Sequence, residues 1–418
     1  MKPIYPLAIV PFVVALGACS SGSKSQGQPS GNGPDGGLVN NDGGMVGDGS
    51  STGDGGDDGG GAAATQYDAK LVGAQVAPAA VMTSASGAGK FMLQSDGQTL
   101  TYDLTQNVAN VMSVNLNIGA VSEPGMVSHT LTPVSAHMKG SITLSSDEQT
   151  AIAADQLYVD VKSSANPNGE IRGQIVPPNS EIFVAYPTGQ QEVPPVMSTY
   201  TAHAGFIMNW DSTAMTGSLV YHLVTTAVPT NVYIQRSIGA TNGSTVYSVQ
   251  GLSGTMDGTL SLTNQSDQSD VEQGRFSVNI TTAANEGGEL RGQIIPPGTT
   301  LFTGVLSGTN EVPPVASQAQ GGAQFVLSAD HKSVSYEADV SGTIPTGAEM
   351  GNAPAGMPSS VMYQLTVVGQ SALGNLNVTS SDVQKLMAGT VFTNIRTASY
   401  PNGELRANLS LQAQPSQQ

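Results

Sequence analysis

Apolar and polar residues alternate over short stretches of this chain, and turn-forming residues bound each stretch. Residues 218–224 (SLVYHLV) and 333–340 (SVSYEADV) are examples, and both are rich in β-branched or aromatic side chains. Gly, Asn or Asp lies near their ends, which is typical of strands that finish in tight turns. Several such stretches in a unit of about 115 residues predict an antiparallel β-sandwich or Greek-key barrel.

Two short segments have a helical rather than an alternating pattern. Residues 145–149 (SSDEQ) and 380–386 (SSDVQKL) each begin with Ser, which can cap the amino end of a helix. Acidic residues follow in what would be the first turn, where the helix dipole favours negative charge. The pattern therefore predicts one short helix before the closing strands of a unit.

A closing motif occurs three times along the chain and defines a repeat. It is NGEIRGQI at 168–175, GGELRGQI at 287–294 and NGELRANL at 402–409, with arginines spaced by 119 and then 115 residues. In each copy Glu and Arg lie two apart on a predicted strand, so their side chains share one face with the Gln or Asn that follows. We interpret the pair as a structural anchor made by charge-assisted hydrogen bonds, with a charged recognition patch as the alternative. The residues concerned are Glu170, Arg172, Glu289, Arg291, Glu404 and Arg406.

An opening marker precedes each closing motif. It is QEVPPV at 191–196 and NEVPPV at 310–315, again 119 residues apart, and it is degraded to AQVAP at 74–78. We expect the glutamate of this marker to supply a carboxylate to the closing arginine, with Gln75 in that place in the first unit. The marker residues are Glu192, Pro194, Pro195, Glu311, Pro313 and Pro314. Two further markers lie between them, a phenylalanine (Phe91, Phe206, Phe325) and a tyrosine (Tyr102, Tyr221, Tyr336).

These markers predict three tandem all-β domains, each an antiparallel Greek-key sandwich or barrel-like unit. The expected bounds are 67–178, 179–298 and 299–412, with a disordered tail at 413–418. Three types of marker keep the same order and similar spacing in the three units, so chance does not explain the repeat.

The markers resemble the CHRD domain, a repeat found in chordin and in bacterial surface proteins. The resemblance is carried by the closing motif, by the Glu-Val-Pro-Pro segments and by the closing strands at 158–162 and 391–397. CHRD relatives commonly carry a His-x-His pair on a central strand and a His in the closing strand. We match the central strand to segments 114–117, 232–235 and 362–365, and the closing-strand histidine to Lys162, Thr281 and Arg396. No unit keeps these histidines, so the resemblance implies no metal ligands here.

The amino-terminal 66 residues have a composition unlike the rest of the chain. Residues 1–18 combine Lys2, an apolar run and small residues before Cys19, which resembles the lipobox of bacterial lipoproteins. The resemblance implies cleavage before Cys19, acylation of that cysteine and attachment to the outer membrane. An ordinary signal peptide with an incidental cysteine is the alternative. Residues 19–66 are rich in Gly, Ser and Asp, which predicts a disordered tether spanning roughly 35 Å.

The net charge and the residue counts exclude several kinds of partner and site. The net charge is −17 with only 14 Lys and Arg, which argues against a nucleic-acid partner. The single cysteine excludes a CxxC site, and none of the five histidines forms HxH or HExxH. We therefore expect no catalytic residue, no cofactor and no metal.

The predicted function is a non-enzymatic, exported lipoprotein that is anchored in the outer membrane through Cys19. Its three domains would face the cell surface or the periplasm and bind an unknown protein or polysaccharide ligand, or make structural or adhesive contact. The alternative is a metal-binding or metal-dependent redox protein on a superoxide-dismutase-like β-sandwich. That alternative requires ligands from distant strands, for which His129, His203 and His222 are the candidates.

Overall fold

The computed structural model describes residues 63–353 and 360–412. The predicted signal segment 1–18, Cys19, most of the predicted tether and the predicted tail 413–418 lie outside the described residues. We call the stretches 67–178, 179–298 and 299–412 repeats 1, 2 and 3. Within the described ranges, no helix has the length and apolar character needed to cross a bilayer.

Each repeat is built from short strands and one two-turn helix. Repeat 1 contains β1 (Thr65–Val72), β2 (Ser86–Leu93), β3 (Thr99–Gln106), β4 (Val111–Ile118), β5 (Met126–Thr130), β6 (His137–Thr143), α1 (Ser146–Ala153), β7 (Leu157–Ser163) and β8 (Ile171–Gln174). Repeat 2 contains β9 (Glu181–Ala185), β10 (Ala202–Asp211), β11 (Thr216–Thr225), β12 (Asn231–Arg236), β13 (Ser244–Ser248), β14 (Thr255–Leu262), α2 (Gln265–Glu272), β15 (Phe276–Thr281) and β16 (Leu290–Gln293).

Repeat 3 follows the same plan with two additional short strands. It contains β17 (Thr300–Ser307), β18 (Gln320–Leu327), β19 (Ser333–Ser341), β20 (Pro345–Asn352), β21 (Ser360–Leu365), β22 (Val367–Val368), β23 (Ser371–Asn377), α3 (Ser380–Met387), β24 (Val391–Thr397), β25 (Leu405–Asn408) and β26 (Ser410–Leu411). A single 3-10 turn follows the first strand of each repeat, at Gly73–Gln75, Gly189–Gln191 and Gly308–Asn310.

The strand order is shared by the repeats, and neighbouring strands are antiparallel. In repeat 1 it is β5-β4-β7-β8-β1-β2-β3-β6. Repeat 2 keeps this order in two four-stranded sheets, which meet at the isolated bridges Thr188–Arg291 and Val184–Ile295. The connections from β3 to β4 and from β6 to β7 cross between the two halves of the repeat, as in Greek-key folds. The predicted architecture of three tandem all-β Greek-key units is confirmed.

The core of each repeat lies between its two halves. Alternate residues of each strand point inward, which is why a period-two sequence pattern yields three separate apolar clusters. The marker phenylalanine and tyrosine are direct partners across neighbouring strands in all three repeats: Phe91–Tyr102, Phe206–Tyr221 and Phe325–Tyr336. The evenly spaced aromatic markers thus form one cross-strand pair per core.

The predicted helices at 145–149 and 380–386 are present, with one correction. Ser145 caps α1 and forms a capping box with Glu148, as its sequence suggested. The cap of α3 is Thr379 rather than a serine, because the Thr379 side chain accepts from the Asp382 amide. Repeat 2 has an equivalent helix, α2, capped by Asn264, which our sequence analysis did not predict.

Successive repeats pack on one another through two joints. In the first joint, the loop 119–125 of repeat 1 lies on strand β10 of repeat 2. Val121 packs so closely against Gly205 that a Cβ atom on residue 205 would overlap Val121. In the second joint, the loop 237–241 of repeat 2 lies on repeat 3. Small apolar clusters fill the joints: Val121, Val176, Val184 and Ile207 in the first, and Ile295, Leu301 and Val326 in the second.

Candidate functional site

The closing-motif arginines are among the most deeply buried polar residues of the structure. Arg172, Arg291 and Arg406 are each only 2–3% exposed. Their strands alternate, so Ile171 points into the core of repeat 1 while Arg172 points to the opposite face. A charge is seldom buried without partners, and the identity of those partners shows what the motif does.

Arg172 holds the loop that forms the first joint. Its guanidinium donates to the carbonyl oxygens of Ala120, at 2.8 Å, and of Glu123. It also donates to the side chain of Gln174 at 3.0 Å and lies 3.5 Å from the centre of the Tyr158 ring. The arginine therefore fixes the backbone of loop 119–125, which packs on repeat 2.

Arg291 does the same for the second joint. It donates to the Ile238 carbonyl at 3.0 Å and to the Ser237 hydroxyl at 2.7 Å, both in loop 237–241. It also donates to the Gln191 carbonyl at 3.3 Å, which connects the closing strand to the opening marker. Burial lowers the pKa of Arg291, like that of Arg172, to about 10, so both guanidinium groups stay charged at neutral pH.

Arg406 has the corresponding position in repeat 3. Its guanidinium lies 3.8 Å from the centre of the Phe392 ring, as that of Arg172 lies over Tyr158. Much of the corresponding loop falls at 354–359, outside the described residues.

The glutamate and the arginine of the closing motif each form charge-assisted hydrogen bonds, but not with each other. Among the described residues, no ion pair joins this glutamate to the arginine of the same motif. Each glutamate precedes the short strand and accepts from nearby hydroxyl or amide groups. Glu170 accepts from Thr83, Glu289 from Thr282 and Asn285, and Glu404 from Ser317, Thr343 and Thr397, at 2.5–3.0 Å. The motif thus contains two separate anchors, one for the turn and one for the joint loop.

The opening marker also required a correction in repeat 1. The amides of Gln75, Gln191 and Asn310 each donate to the carbonyl five residues earlier, at 2.9–3.1 Å, which makes these three residues equivalent. The position of Glu192 and Glu311 is therefore taken by Val76, not by Gln75. An alignment of Gln75 with Glu192 is therefore wrong by one residue.

Repeat 1 instead carries its carboxylate on the closing strand. Asp160 pairs across from Arg172 in the same way that Asn279 pairs across from Arg291. Repeats 2 and 3 have Glu in the opening marker and Asn on the closing strand, whereas repeat 1 has Val76 and Asp160. The negative charge near the buried arginine is retained, but it comes from a different element.

In repeats 2 and 3 this glutamate is buried beside an asparagine. Glu192 is 5% exposed, and Asn279 donates to its Oε2 at 3.4 Å. The Glu192 Oε1 and Asn279 Oδ1 atoms have no hydrogen-bond partner among the described residues, and the same holds for Glu311 Oε1 and Asn394 Oδ1. Burial raises the pKa of Glu192 and of Glu311 to about 7, although the neighbouring arginine opposes the shift.

The central strand of repeat 3 is not the segment that our sequence analysis assigned. The strand paired with β24 is β20, with Glu349 opposite Asn394, as Asn115 lies opposite Asp160 and Tyr233 opposite Asn279. Segment 362–365 lies on the next strand, β21. Glu349 follows the marker Tyr336 by 13 residues, as Asn115 follows Tyr102, so the spacing from this marker identifies the central strand.

The comparison with known families agrees with this geometry. The CHRD domain model matches residues 67–175, 183–294 and 302–409. The chain belongs to the CHRD family. Each matched stretch falls inside one of the three predicted domains, and together they cover nearly all of the described residues. No curated protein and no solved structure shows significant similarity to the chain.

A large cavity lies where the second CHRD repeat meets the third. It has a volume of about 520 Å³ and is lined by Glu192, Pro194 and Pro195 of the opening marker together with residues of β17 and the carboxyl-terminal segment. A second cavity of about 310 Å³ in the first CHRD repeat is lined by Tyr158, Asp160, Lys162 and Arg172. Pro313 and Pro314 are exposed. Both cavities are thus bordered by residues of the opening or closing motif.

Proposed function

We propose that the protein is a non-enzymatic lipoprotein of the bacterial cell envelope, which displays three CHRD repeats for binding or for structural contact. The observation that carries this proposal is that the repeated closing motif makes structural contacts. Two of its arginines, Arg172 and Arg291, are buried and donate to backbone carbonyls of the joint loops, so the repeated motif holds neighbouring domains together. A reactive centre would require such groups to face a substrate.

The array supports multivalent contact with a protein or polysaccharide ligand. Three copies of one module present related surfaces at fixed spacing, and linked weak sites gain avidity through effective concentration. Exposed apolar side chains suit such contacts, among them Met126 and Val127 on the edge strand β5 and Met197 after the opening marker. The low content of Lys and Arg favours these ligands over nucleic acid.

Anchoring at Cys19 is tested by cell fractionation. We expect the wild-type chain in the membrane fraction and Cys19→Ala in the soluble exported fraction, because an alanine offers no thiol for acylation. Ser20→Ala is the matched control, since it changes the neighbouring residue and keeps the thiol. Equal membrane retention of the wild-type chain and Cys19→Ala would contradict the anchor.

The orientation of the repeats is tested by adding protease to intact cells. For an environmental ligand or an adhesive role, the repeats must be cleaved while the outer membrane is intact. Resistance until that membrane is opened would place the repeats in the periplasm. The adhesive role would then be excluded, and an envelope partner would be sought.

A further inference from the structure

Two histidines of the second CHRD repeat face a glutamate of the first. His203 lies on β10 and His222 on β11, and the register pairs His203 with Val224 and Gly205 with His222. The two histidines are therefore diagonal neighbours on one face of the sheet, close enough for long side chains to meet. Glu123 comes from loop 119–125, the loop that Arg172 holds against this face.

The imidazole nitrogens converge on one carboxylate oxygen. The Nε2 atom of His203 is hydrogen-bonded to Oε1 of Glu123, and the Nε2 atom of His222 lies 3.8 Å from the same oxygen. All three side chains are more than half buried but retain access to solvent, and cavities of about 340 and 240 Å³ open on either side. A small ion has a route to this cluster.

A fourth residue fixes the orientation of His222. The Nδ1 atom of His222 lies 2.6 Å from Oδ1 of Asp257, the residue directly opposite His222 on the neighbouring strand β14. In the neutral ring, the proton belongs on Nδ1, where the carboxylate accepts it, and the Nε2 lone pair then points at Glu123. A lone pair and a carboxylate oxygen thus face each other, an arrangement that a cation between them stabilises. A carboxylate behind the imidazole is also the usual support of a metal-bound histidine.

The second joint has no equivalent of this cluster. Thr241 and Gly322 occupy the positions of Glu123 and His203, and Glu337 that of His222. Glu337 instead forms a direct ion pair with Arg275 of the preceding repeat at 2.6 Å. The second joint is thus closed by oppositely charged side chains, whereas the first presents two imidazoles and a carboxylate.

As the side chains stand, no three His, Cys, Asp or Glu groups of the described residues form a ready-made metal site. At the first joint the reason is local, because Glu123 closes directly onto His203. Ligands bound tetrahedrally to zinc at about 2.0–2.1 Å lie roughly 3.3 Å from each other. The Nε2 atom of His222 lies 3.8 Å from Oε1 of Glu123, already near this value, so the site opens when the Glu123 side chain withdraws from His203.

We propose that the first joint binds a divalent transition-metal ion such as Zn²⁺ through His203, His222 and Glu123. Asp257 supports His222, and water completes the coordination. Because Glu123 belongs to one repeat and the histidines to the next, the bound ion would link repeats 1 and 2. It would have the role at the first joint that the Arg275–Glu337 ion pair has at the second. This proposal does not depend on the lipid anchor or on the orientation of the repeats.

The test is calorimetric titration of the purified, chelator-treated chain with Zn²⁺ at neutral pH. We expect about one high-affinity equivalent, and an affinity at least tenfold lower in His203→Ala, in His222→Ala and in Glu123→Gln. Asp257→Asn should weaken binding by about 10- to 100-fold, the range found for groups that support metal-bound histidines. Zn²⁺ should also raise the unfolding temperature of the wild-type chain, since a ligand that binds only the folded state stabilises it.

The matched controls are His129→Ala and His137→Ala. These histidines lie in repeat 1 and each pairs with a single carboxylate outside the cluster, Glu148 at 2.8 Å and Asp103 at 2.6 Å. Both variants should bind Zn²⁺ like the wild-type chain. Unfolding scans in chelator establish that each cluster variant is folded, and His203→Gln and His222→Gln replace any alanine variant that is not. The proposal is overturned if the wild-type chain binds no Zn²⁺, or if binding is the same in folded cluster variants.

Discussion

Replacing Arg291 with alanine is expected to lower the free energy of unfolding of the second repeat by about 3–5 kcal/mol, the range for breaking a buried charged network from one side. The Ile238 carbonyl and the Ser237 hydroxyl lose their donor, and both lie in the loop that packs on repeat 3. The buried Glu192 carboxylate also loses the positive charge that opposes its desolvation. The loss therefore combines unsatisfied polar groups with a further rise in the pKa of Glu192, which must hold its proton at neutral pH.

The measurement is calorimetric unfolding of the purified chain at neutral pH. Lys139→Ala is the control, because Lys139 is also a cation with a close partner, Asp103 at 2.7 Å, but is 63% exposed, and such surface ion pairs contribute at most about 1 kcal/mol. Arg291→Lys should also be clearly destabilised, since an ammonium group cannot reach the same acceptors as a guanidinium. An unchanged transition in Arg291→Ala would show that the buried motif is not an anchor of the fold.

The features that the sequence predicted correctly are those that are local and repeated. The alternation around Tyr221 and Tyr336 gave the strands, and the spacing of Arg172, Arg291 and Arg406 gave three units. A strand pattern and a helix cap depend on neighbours within a few residues, so one sequence is sufficient to detect them.

The errors arose where the answer depended on register between distant segments. Gln75 and Glu192 are both polar and both directly precede a valine, but the hydrogen bonds of the turn match Gln75 to Gln191. The central strand of repeat 3 was assigned to 362–365, although Glu349 follows the marker Tyr336 by 13 residues, as Asn115 follows Tyr102. A shift of this kind exchanges the face on which a side chain lies, and no local pattern corrects it.

The sequence did not predict the joints, for the same reason. His203, His222 and Glu123 are far apart along the chain and form no motif, and only the pairing of β10 with β11 and the position of loop 119–125 bring them together. The sequence did indicate that any metal site would need ligands from distant strands. His203 and His222 were among the candidate ligands because the chain has few histidines, but nothing in the sequence pointed to Glu123.

The second large effect is on the pH dependence of stability, through Glu192 and Glu311. The pKa of each carboxyl group is about 7 in the folded chain, against 4.5 for an unperturbed group. Between these pH values the folded state holds a proton that the unfolded state has lost, so stability falls as the pH rises from about 4.5 to about 7. A shift of this size corresponds to roughly 3 kcal/mol for each group, at about 1.4 kcal/mol per pH unit.

Glu192→Gln and Glu311→Gln should remove this dependence. A glutamine does not ionise, and its amide can donate to the unpartnered Oδ1 of the adjacent Asn279 or Asn394, as a protonated carboxyl group does. We therefore expect the double variant to match the wild-type chain near pH 4.5 and to be more stable at pH 8. The measurement is denaturant unfolding of both chains at intervals from pH 4.5 to pH 8.

The difference between the two curves is the quantity that tests the burial of these glutamates. Other carboxyl groups titrate in this range too, and the pKa of Asp155 is raised to about 6 by burial, but they affect both chains equally. Glu286→Gln is the matched control, because Glu286 is exposed two residues before Gly288, which packs on Glu192. Its curve should run parallel to that of the wild-type chain. If the double variant also runs parallel, Glu192 and Glu311 are ionised in the folded chain below pH 7, and their unpartnered oxygen atoms must be satisfied by water or by a bound cation rather than by a proton.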